Sequence, residues 1–338
     1  MYRKLLDVLA DPITGSPLTL AEDSGEDWIE EGELVSPEGS RFRISRGVPR
    51  FTQEGYGASF GLQWNRFAQV QLDSANGTSY SRARFDAEVG WKDEDLTGSW
   101  VVDAGCGTGR FAEIAASYGA EVIALDLSSS VEAARSNLRH VPNAHVVQAD
   151  LTKLPVQRGK VDFLYSIGVI QHTPDPLSSA RSLVQFLKPG ARFAFTIYAR
   201  RPWTRLYSKY LLRPVTRRLP PEQLLKAIES VMPVAFPVTS KVYPIPVLGK
   251  MVQFCLPIAN YPHLSKMTKD DQYKQAVLDT FDMLAPRYDR PVTAAEIRSA
   301  LGDLVTSLDF VSSVPVVVRG VRASVVADDR GLGAPVHR

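Results

Sequence analysis

The residues of this chain that could do chemistry begin with a glycine-rich loop. In "VVDAGCGTGRF", Val101 to Phe111, an apolar run ends in Asp103, passes Gly105, Cys106, Gly107 and Gly109, and opens into a helical pattern. Alternate glycines let the backbone approach a ligand closely at a helix N-terminus, which suits any nucleotide. The spacing is GxGxG, whereas the dinucleotide fingerprint places its third glycine one residue later. Charge narrows the choice further. Asp103 stands two residues before Gly105, where a carboxylate repels a pyrophosphate and attracts a ligand carrying an ammonium and a sulfonium. The loop therefore points to S-adenosylmethionine rather than NAD. Asp126 follows at a distance where a carboxylate accepts both hydroxyls of a ribose, a placement that fits NAD equally well. Asp150, in "QADLTKLP", can accept from the exocyclic amine of an adenine. Each acid alone reads as a solvated strand end. Together, on the carboxyl edge of an open α/β sheet, they read as a binding site.

These residues need a parallel sheet to position them. From Trp100 onward, short apolar runs alternate with amphipathic ones, the pattern of strands covered by helices. The predicted strands are "WVVD", "EVIALD", "AHVVQAD", "VDFLYSIGVI" and "RFAFTIY". The predicted helices are "RFAEIAASYG", "SSVEAARSNLRH" with Ser128 as N-cap, and "LSSARSLVQFL", which is followed by a turn at Lys188–Gly190. After Tyr198 a proline-punctuated, partly helical stretch runs to about Arg290. Thr293 and Glu296 then form a capping box, and "LVTSLDFV" and "VPVVVRGVRASVVA" close the pattern as strands. The tail, residues 327–338, has no apolar period and is expected to be disordered.

A chain of 338 residues accommodates one large α/β domain plus an accessory region, and a net charge of +2 does not announce a nucleic-acid binder. No apolar stretch reaches the length of a membrane span, and the first residues break their apolar run at Asp7, too early for a signal peptide. The expected location is the cytoplasm. Cys106 and Cys255 lie far apart and give neither a disulfide framework nor a CxxC metal site, and Cys106 reads as a small residue in a tight turn.

"VVDAGCGTGRF", "VIALDLS", "QADLTKLP", "SIGVIQHTPDP" and "LKPGARFAFTIY", in this order, resemble the class I S-adenosylmethionine-dependent methyltransferases over Trp100 to Tyr198, and more loosely over the closing strands. The resemblance implies an α/β, Rossmann-like sheet of seven strands, the last antiparallel, with a helical cap insertion and a small β-rich N-terminal domain. The expected division is 1–54, a lid and linker over 55–95, a core of 96–199 and 292–326, and a substrate cap over 200–291. By motif position, Asp103 and the loop backbone would meet the methionine part of the cofactor. Asp126 would meet the ribose, Asp150 with Leu151 the adenine, and Ser166 and Ile167 the methionine amine, with Leu127 a further cofactor contact.

Residues 1–54 are similar to the zinc-ribbon-like domain that precedes some methyltransferases, in which paired cysteines follow "LLDxL" and precede "GxPRF". Here Asp11, Thr14, Ser36 and Gly39 stand where thiolates are expected, so a metal-free, degenerate ribbon is predicted. In "SFGLQWNRFAQVQLD", Phe60, Trp64 and Phe67 recur at helical spacing; related methyltransferases lay such a helix over the cofactor, which makes Gln63 and Trp64 lid candidates. His172 is the histidine that the motif order puts near the sulfonium, as a base or as a residue that orients the loop. Tyr198, Asp282 and Tyr288 are candidate substrate contacts, the last two in a segment resembling one found in methyltransferases of sugar-related and natural-product pathways.

No acid occurs from Pro176 to Pro221, while Arg192, Arg200, Arg201, Arg205, Lys209, Arg213, Arg217 and Arg218 accumulate among aromatic and leucine residues. Such a segment suits a solvated basic face, an anionic membrane, a diphosphate-linked substrate or RNA. The reading is methyl transfer, at oxygen, to a small or carrier-linked molecule. An RNA methyltransferase and a non-catalytic cofactor-binding assembly protein are the alternatives.

Overall fold

The computed structural model describes residues 1–22, 25–52, 55–92, 94–264 and 266–324, so the predicted tail lies outside the described residues. Four short strands, β1 (Thr19–Leu20), β2 (Gly32–Val35), β3 (Arg41–Ser45) and β4 (Val48–Pro49), form an antiparallel N-terminal sheet in sequence order. Helices α1 (Ala58–Arg66), α2 (Asp73–Asn76) and α3 (Tyr80–Val89) lead into the core. There β5 (Trp100–Ala104), α4 (Arg110–Ser117), β6 (Glu121–Asp126), α5 (Ser130–Asn137) and β7 (Ala144–Gln148) alternate, followed by β8 (Val161–Ile167), α6 (Pro176–Phe186) and β9 (Leu187–Ile197). The cap comprises α7 (Ser208–Thr216), α8 (Pro221–Val242), α9 (Leu248–Cys255) and α10 (Lys269–Leu284). Helix α11 (Ala294–Leu301) and strands β10 (Val305–Ser313) and β11 (Val316–Arg322) complete the chain.

The large sheet runs β10-β11-β9-β8-β5-β6-β7. Strands β5 to β9 pair in parallel, and β11 lies antiparallel between β9 and β10. This is the α/β, Rossmann-like class I methyltransferase sheet expected from the sequence. All of β7, and every residue of β5 but Trp100, is buried, as strands covered by helices on both faces must be. Strand order reverses between β5 and β8, so the connections leaving their carboxyl ends diverge and open a crevice.

Two local expectations shift. The turn at Lys188–Gly190 is a bulge inside β9: Val161 pairs with Leu187 but Phe163 with Arg192, and Gly190 takes φ +78° to absorb the extra residues. The N-cap of α5 is Ser129, one residue after Ser128; the Ser128 hydroxyl still accepts from Ser130 N–H at 3.2 Å but donates to Asp126.

The N-terminal sheet covers the free edge of β7. Phe51 N–H donates to Gln148 O at 2.8 Å, and the Arg50 guanidinium reaches Gln148 Oε1 at 2.7 Å and Glu132 at 2.6 Å. Leu5, Leu9, Leu34 and Ile44 belong to the same apolar cluster as Val102, Ile123 and Leu164, so the two sheets share one core. At the positions where the resemblance places thiolates, hydrogen bonds hold the turns. Asp11 Oδ1 accepts from Ile13 and Thr14 N–H at 2.8 and 3.3 Å, and Ser36 Oγ accepts from Ser40 N–H at 3.1 Å. Glu38 of the second turn accepts from Ser16 and Thr14 of the first at 2.6 and 3.2 Å.

Burial pushes the Asp11 carboxyl up, but the Ser40 and Ser36 hydroxyls beside it and the two backbone donors outweigh this and hold it below its ordinary value. The stabilisation is therefore present above the ordinary value of 3.8 and fades as pH falls through the folded-state value. Asp11→Ala is expected to cost about 1–3 kcal/mol in denaturant unfolding at neutral pH, and less in acid. An unchanged midpoint at neutral pH would mean that the turns hold without it.

Candidate active site

At the carboxyl ends of β5, β6, β8 and β9 lies a cavity of about 590 Å³, the size of a small-molecule site. The loop after β5 forms its floor. Gly105 and Cys106 N–H both donate to Leu125 O, at 2.8 and 2.9 Å, which turns the loop back over β6. Gly105 takes φ +95°, and a Cβ there would lie 2.4 Å from Val169 Cγ1, so no side chain fits. Trp64 of α1 covers Gly107 at 3.4 Å from where its Cβ would stand.

Asp126 fixes this loop to the next one. Its Oδ2 accepts from Gly107 N–H at 3.0 Å, and its Oδ1 accepts from Ser128 N–H at 2.9 Å and from the Ser128 hydroxyl at 2.8 Å. A carboxylate has about four lone-pair sites, so one remains to accept from a ligand hydroxyl.

Asp103 is 1% exposed, and its Oδ2 accepts no hydrogen bond. Burial first, then the nearby Asp126 charge, push its pKa up to about 8, while the Tyr165 phenol and Arg110 pull the other way. An orphaned buried carboxyl beside the loop is matched by a ligand ammonium. Two guanidiniums face the cavity, while Asp103 stands behind its floor: Arg84 of α3, whose Nε donates to Glu88 at 2.8 Å, and Arg110 of α4, pushed down to about 9 by burial and by Arg84. Arg84 lies 3.8 Å from the point where a Gly168 Cβ would stand, at the end of β8. The cavity thus has two bases in its wall and one buried acid just behind its floor. Neither arginine shows in the sequence pattern, since α3 contributes one of them from upstream of the core.

The far wall carries the titratable groups. His172 Nδ1 lies 2.9 Å from the Tyr288 carbonyl, which can only accept, so Nδ1 holds the proton. Its Nε2 is buried without a partner. The ring packs between Phe60 and Tyr198, at 5.2 and 5.5 Å between centroids. Asp282 of α10 accepts from the buried Gln63 amide at 3.0 Å and from the Tyr198 hydroxyl at 3.4 Å, which ties the lid helix to the end of β9. One turn earlier, Asp279 is pushed up to about 6 by burial, with the Asp282 charge adding to it, and accepts from Gln275 at 2.6 Å.

Among the residues singled out from sequence, Gly105, Cys106, Gly107, Asp126, Leu127, Leu151, Ile167, His172, Trp64, Tyr198 and Asp282 line the cavity. The rest stand behind it. Gly109 packs under Leu138, and the Ser166 hydroxyl turns inward to donate to Ala104 O at 2.7 Å. Asp150 is spent in part on Thr152, whose N–H and hydroxyl both donate to its Oδ1 at 2.8 Å, and its charge reaches the Tyr56 phenol. Gln63 acts through Asp282, and Tyr288 through its carbonyl, with its ring on Tyr56 at 5.5 Å. Sequence reading did not single out Arg84, Arg110, Tyr261 and Gln275, which also line the site.

Fold and loop geometry define a class: the core has the class I methyltransferase fold, and S-adenosylmethionine is its cofactor. Residues 102–195 match the methyltransferase domain family. The chain is similar to the Ubiquinone biosynthesis O-methyltransferase of Acinetobacter baumannii (strain AYE), at 30% identity over 39% of this chain and 59% of that protein. It is similar also to the enzyme of the same name from Bordetella bronchiseptica (strain ATCC BAA-588 / NCTC 13252 / RB50), at 32% identity over 38% of this chain and 58% of that protein. The match thus spans about 59% of the length of the curated relatives. Among solved structures, magnesium protoporphyrin IX methyltransferase from Synechocystis PCC 6803 with bound SAH aligns at 17% identity over 80% of this chain and 98% of that one, with a TM-score of 0.43.

Two outcomes are expected of the cofactor site. Asp126→Ala should weaken S-adenosylmethionine binding by about tenfold or more in calorimetry, since it removes a charge-assisted acceptor and frees the loop; unchanged affinity would contradict the assignment. At pH 7, below the raised Asp103 value of about 8, a cation placed beside this carboxyl draws it toward ionisation. Binding should therefore release a proton, read as a dependence of the binding heat on buffer ionisation enthalpy. Asp103→Asn should abolish that dependence, and equal heats in all buffers for the unaltered chain would refute it.

Proposed function

We propose that this chain is an S-adenosylmethionine-dependent methyltransferase that methylates oxygen on a small or carrier-linked molecule, sugar-, lipid- or natural-product-like, with His172 as general base. When bound, the cofactor supplies an electrophilic methyl group on a sulfonium. Asp103 would receive its ammonium, Arg84 its carboxylate and Asp126 its ribose, with Leu127, Leu151 and Ile167 forming apolar walls, and Asp150 and Ser166 supporting the adenine and methionine ends from behind.

The observation that carries the catalytic reading is the fixed tautomer of His172. Its Nδ1–H is committed to the Tyr288 carbonyl at 2.9 Å, so the lone pair on the unpartnered Nε2 is available to a hydroxyl. Nearby, the Asp289 carboxylate is held below its ordinary value against burial, by Lys209 first and then by His172. Tyr198 stays a phenol: burial, then the Asp282 charge, push it well above its ordinary value. Tyr198 and Asp282 then position the acceptor, and Trp64 with Phe60 excludes water. Relatives named for O-methylation in ubiquinone biosynthesis fit a small acceptor.

Residues 1–54 serve in this reading as a degenerate, metal-free ribbon for structure or docking, in which the Asp11–Ser36 turns replace a metal. The enzyme is read as cytoplasmic, with a basic cap segment suited to peripheral membrane contact.

With an extract fraction as acceptor source, His172→Asn should lower methyl transfer by roughly a hundred- to ten-thousand-fold. S-adenosylmethionine affinity should stay within about twofold, as expected for a residue that acts in the transition state. Unchanged turnover at every pH would end the base assignment.

A further inference from the structure

Among the described residues, fourteen of the eighteen exposed large apolar side chains fall between Trp203 and Leu256, within the cap. Their arrangement follows helix faces. On α7, Lys209, Arg213 and Thr216 turn inward: Lys209 pairs with Asp289 at 2.8 Å, Arg213 donates to Met283 O and Pro286 O at 3.1 and 2.7 Å, and Thr216 donates to Leu284 O at 2.9 Å. Leu211, Leu212 and Val215 are left on the outer face. On α8, Leu224, Leu225, Ile228 and Met232 are buried against α10 while Val231, Val234 and Val238 are exposed. On α9, Leu248 and Met251 are exposed, and Phe254 packs on Tyr207 at 4.6 Å between ring centroids, joining α9 to the start of α7. A water-soluble surface does not concentrate its apolar residues in this way unless it binds something.

The charge around these faces is of one sign. Residues 200–269 hold twelve lysines and arginines and two acids, Glu222 and Glu229, with no acid between Glu229 and Asp270. Arg205, Arg217, Arg218, Lys241 and Lys250 are exposed and make no ion pair with the described residues. No helix of the described residues is long and apolar enough to cross a membrane. Apolar side chains framed by cations on helices that cannot span fit insertion into the interface of an anionic bilayer. A second copy of the same face is a poorer partner, since pairing it with itself would bring like charges together.

We propose that the outer faces of α7, α8 and α9 dock this chain reversibly on an anionic lipid surface. The same cap also walls the cavity, through Tyr261, Leu264, Met267 and α10, and none of α7, α8 and α9 lines it. The docking inference stands apart from the catalytic one, because vesicle binding is read without acceptor or turnover.

The test is co-sedimentation of the full chain with vesicles of phosphatidylcholine alone or mixed with phosphatidylglycerol, at low and at physiological salt. Binding is expected on the mixed vesicles, weaker with salt, and absent on the neutral ones. The double variants Leu211→Asp/Met251→Asp and Arg217→Glu/Arg218→Glu should each lose about tenfold or more in vesicle affinity, with S-adenosylmethionine binding unchanged as the proof of folding. No partition to anionic vesicles, or equal partition of the folded variants, would overturn the proposal. So would a dimer in sedimentation velocity that Leu211→Asp/Met251→Asp splits, because the face would then be a contact between copies.

Discussion

The carboxylate of Asp126 is the joint on which the rest of the site depends. It accepts from Gly107 in the loop after β5 and from Ser128 in the loop after β6, so it sets the distance between two neighbouring strand ends. The turn it fixes is also the seat of the lid. Gly57 packs against Ser128 and Leu127, and the Asn65 amide donates to Ser129 O at 2.9 Å. From α1 the connection continues through Gln63 to Asp282 of α10, and from there to Tyr198. Core, lid and cap thus meet around one cavity through a short series of hydrogen bonds that starts at a strand-end acid. A carboxylate suits this position because it accepts at several angles at once.

Opposed charges divide the cavity into ends with different chemistry. Asp103 stands behind the loop and Arg84 in the cavity wall, and burial makes the acid expensive to ionise with no cation beside it. His172, Tyr198, Asp279 and Asp282 face the other end, rich in acceptors and phenols. The histidine owes its useful tautomer to a backbone carbonyl some hundred residues away in sequence, held there because Arg290 N–H donates to Gln171 O and Val292 N–H to Tyr198 O. In the proposed mechanism, positioning of this kind is the chain's contribution to a displacement at a methyl group.

The core was readable in the sequence because each signal is local. Parallel strands buried on both faces leave uninterrupted apolar runs, and the acids at their ends mark the carboxyl edge of the sheet. Ser166 shows the limit of this reading. Motif position puts it near the cofactor, but strand alternation sends its hydroxyl to Ala104 O. Arg84, Tyr261 and Gln275 carry no local signal, since α3 and the cap bring them to the loop across long stretches of chain. The basic run from Arg192 to Arg218 reads in sequence as a single surface, yet Arg192 pairs with Glu94, Arg200 with Glu296 and Lys209 with Asp289. Arg213 is drawn inward because the last carbonyls of α10 and the chain just after it need donors, which no periodicity announces.

The central claim is that the cavity receives a small or carrier-linked acceptor. Its most direct test is to incubate the chain with methyl-labelled S-adenosylmethionine and a cell extract separated into RNA, lipid and small soluble fractions. Label is expected in the lipid or the small soluble pool, in a form that resists the conditions that hydrolyse methyl esters. Label confined to RNA would contradict the account and make the cap a nucleic-acid surface.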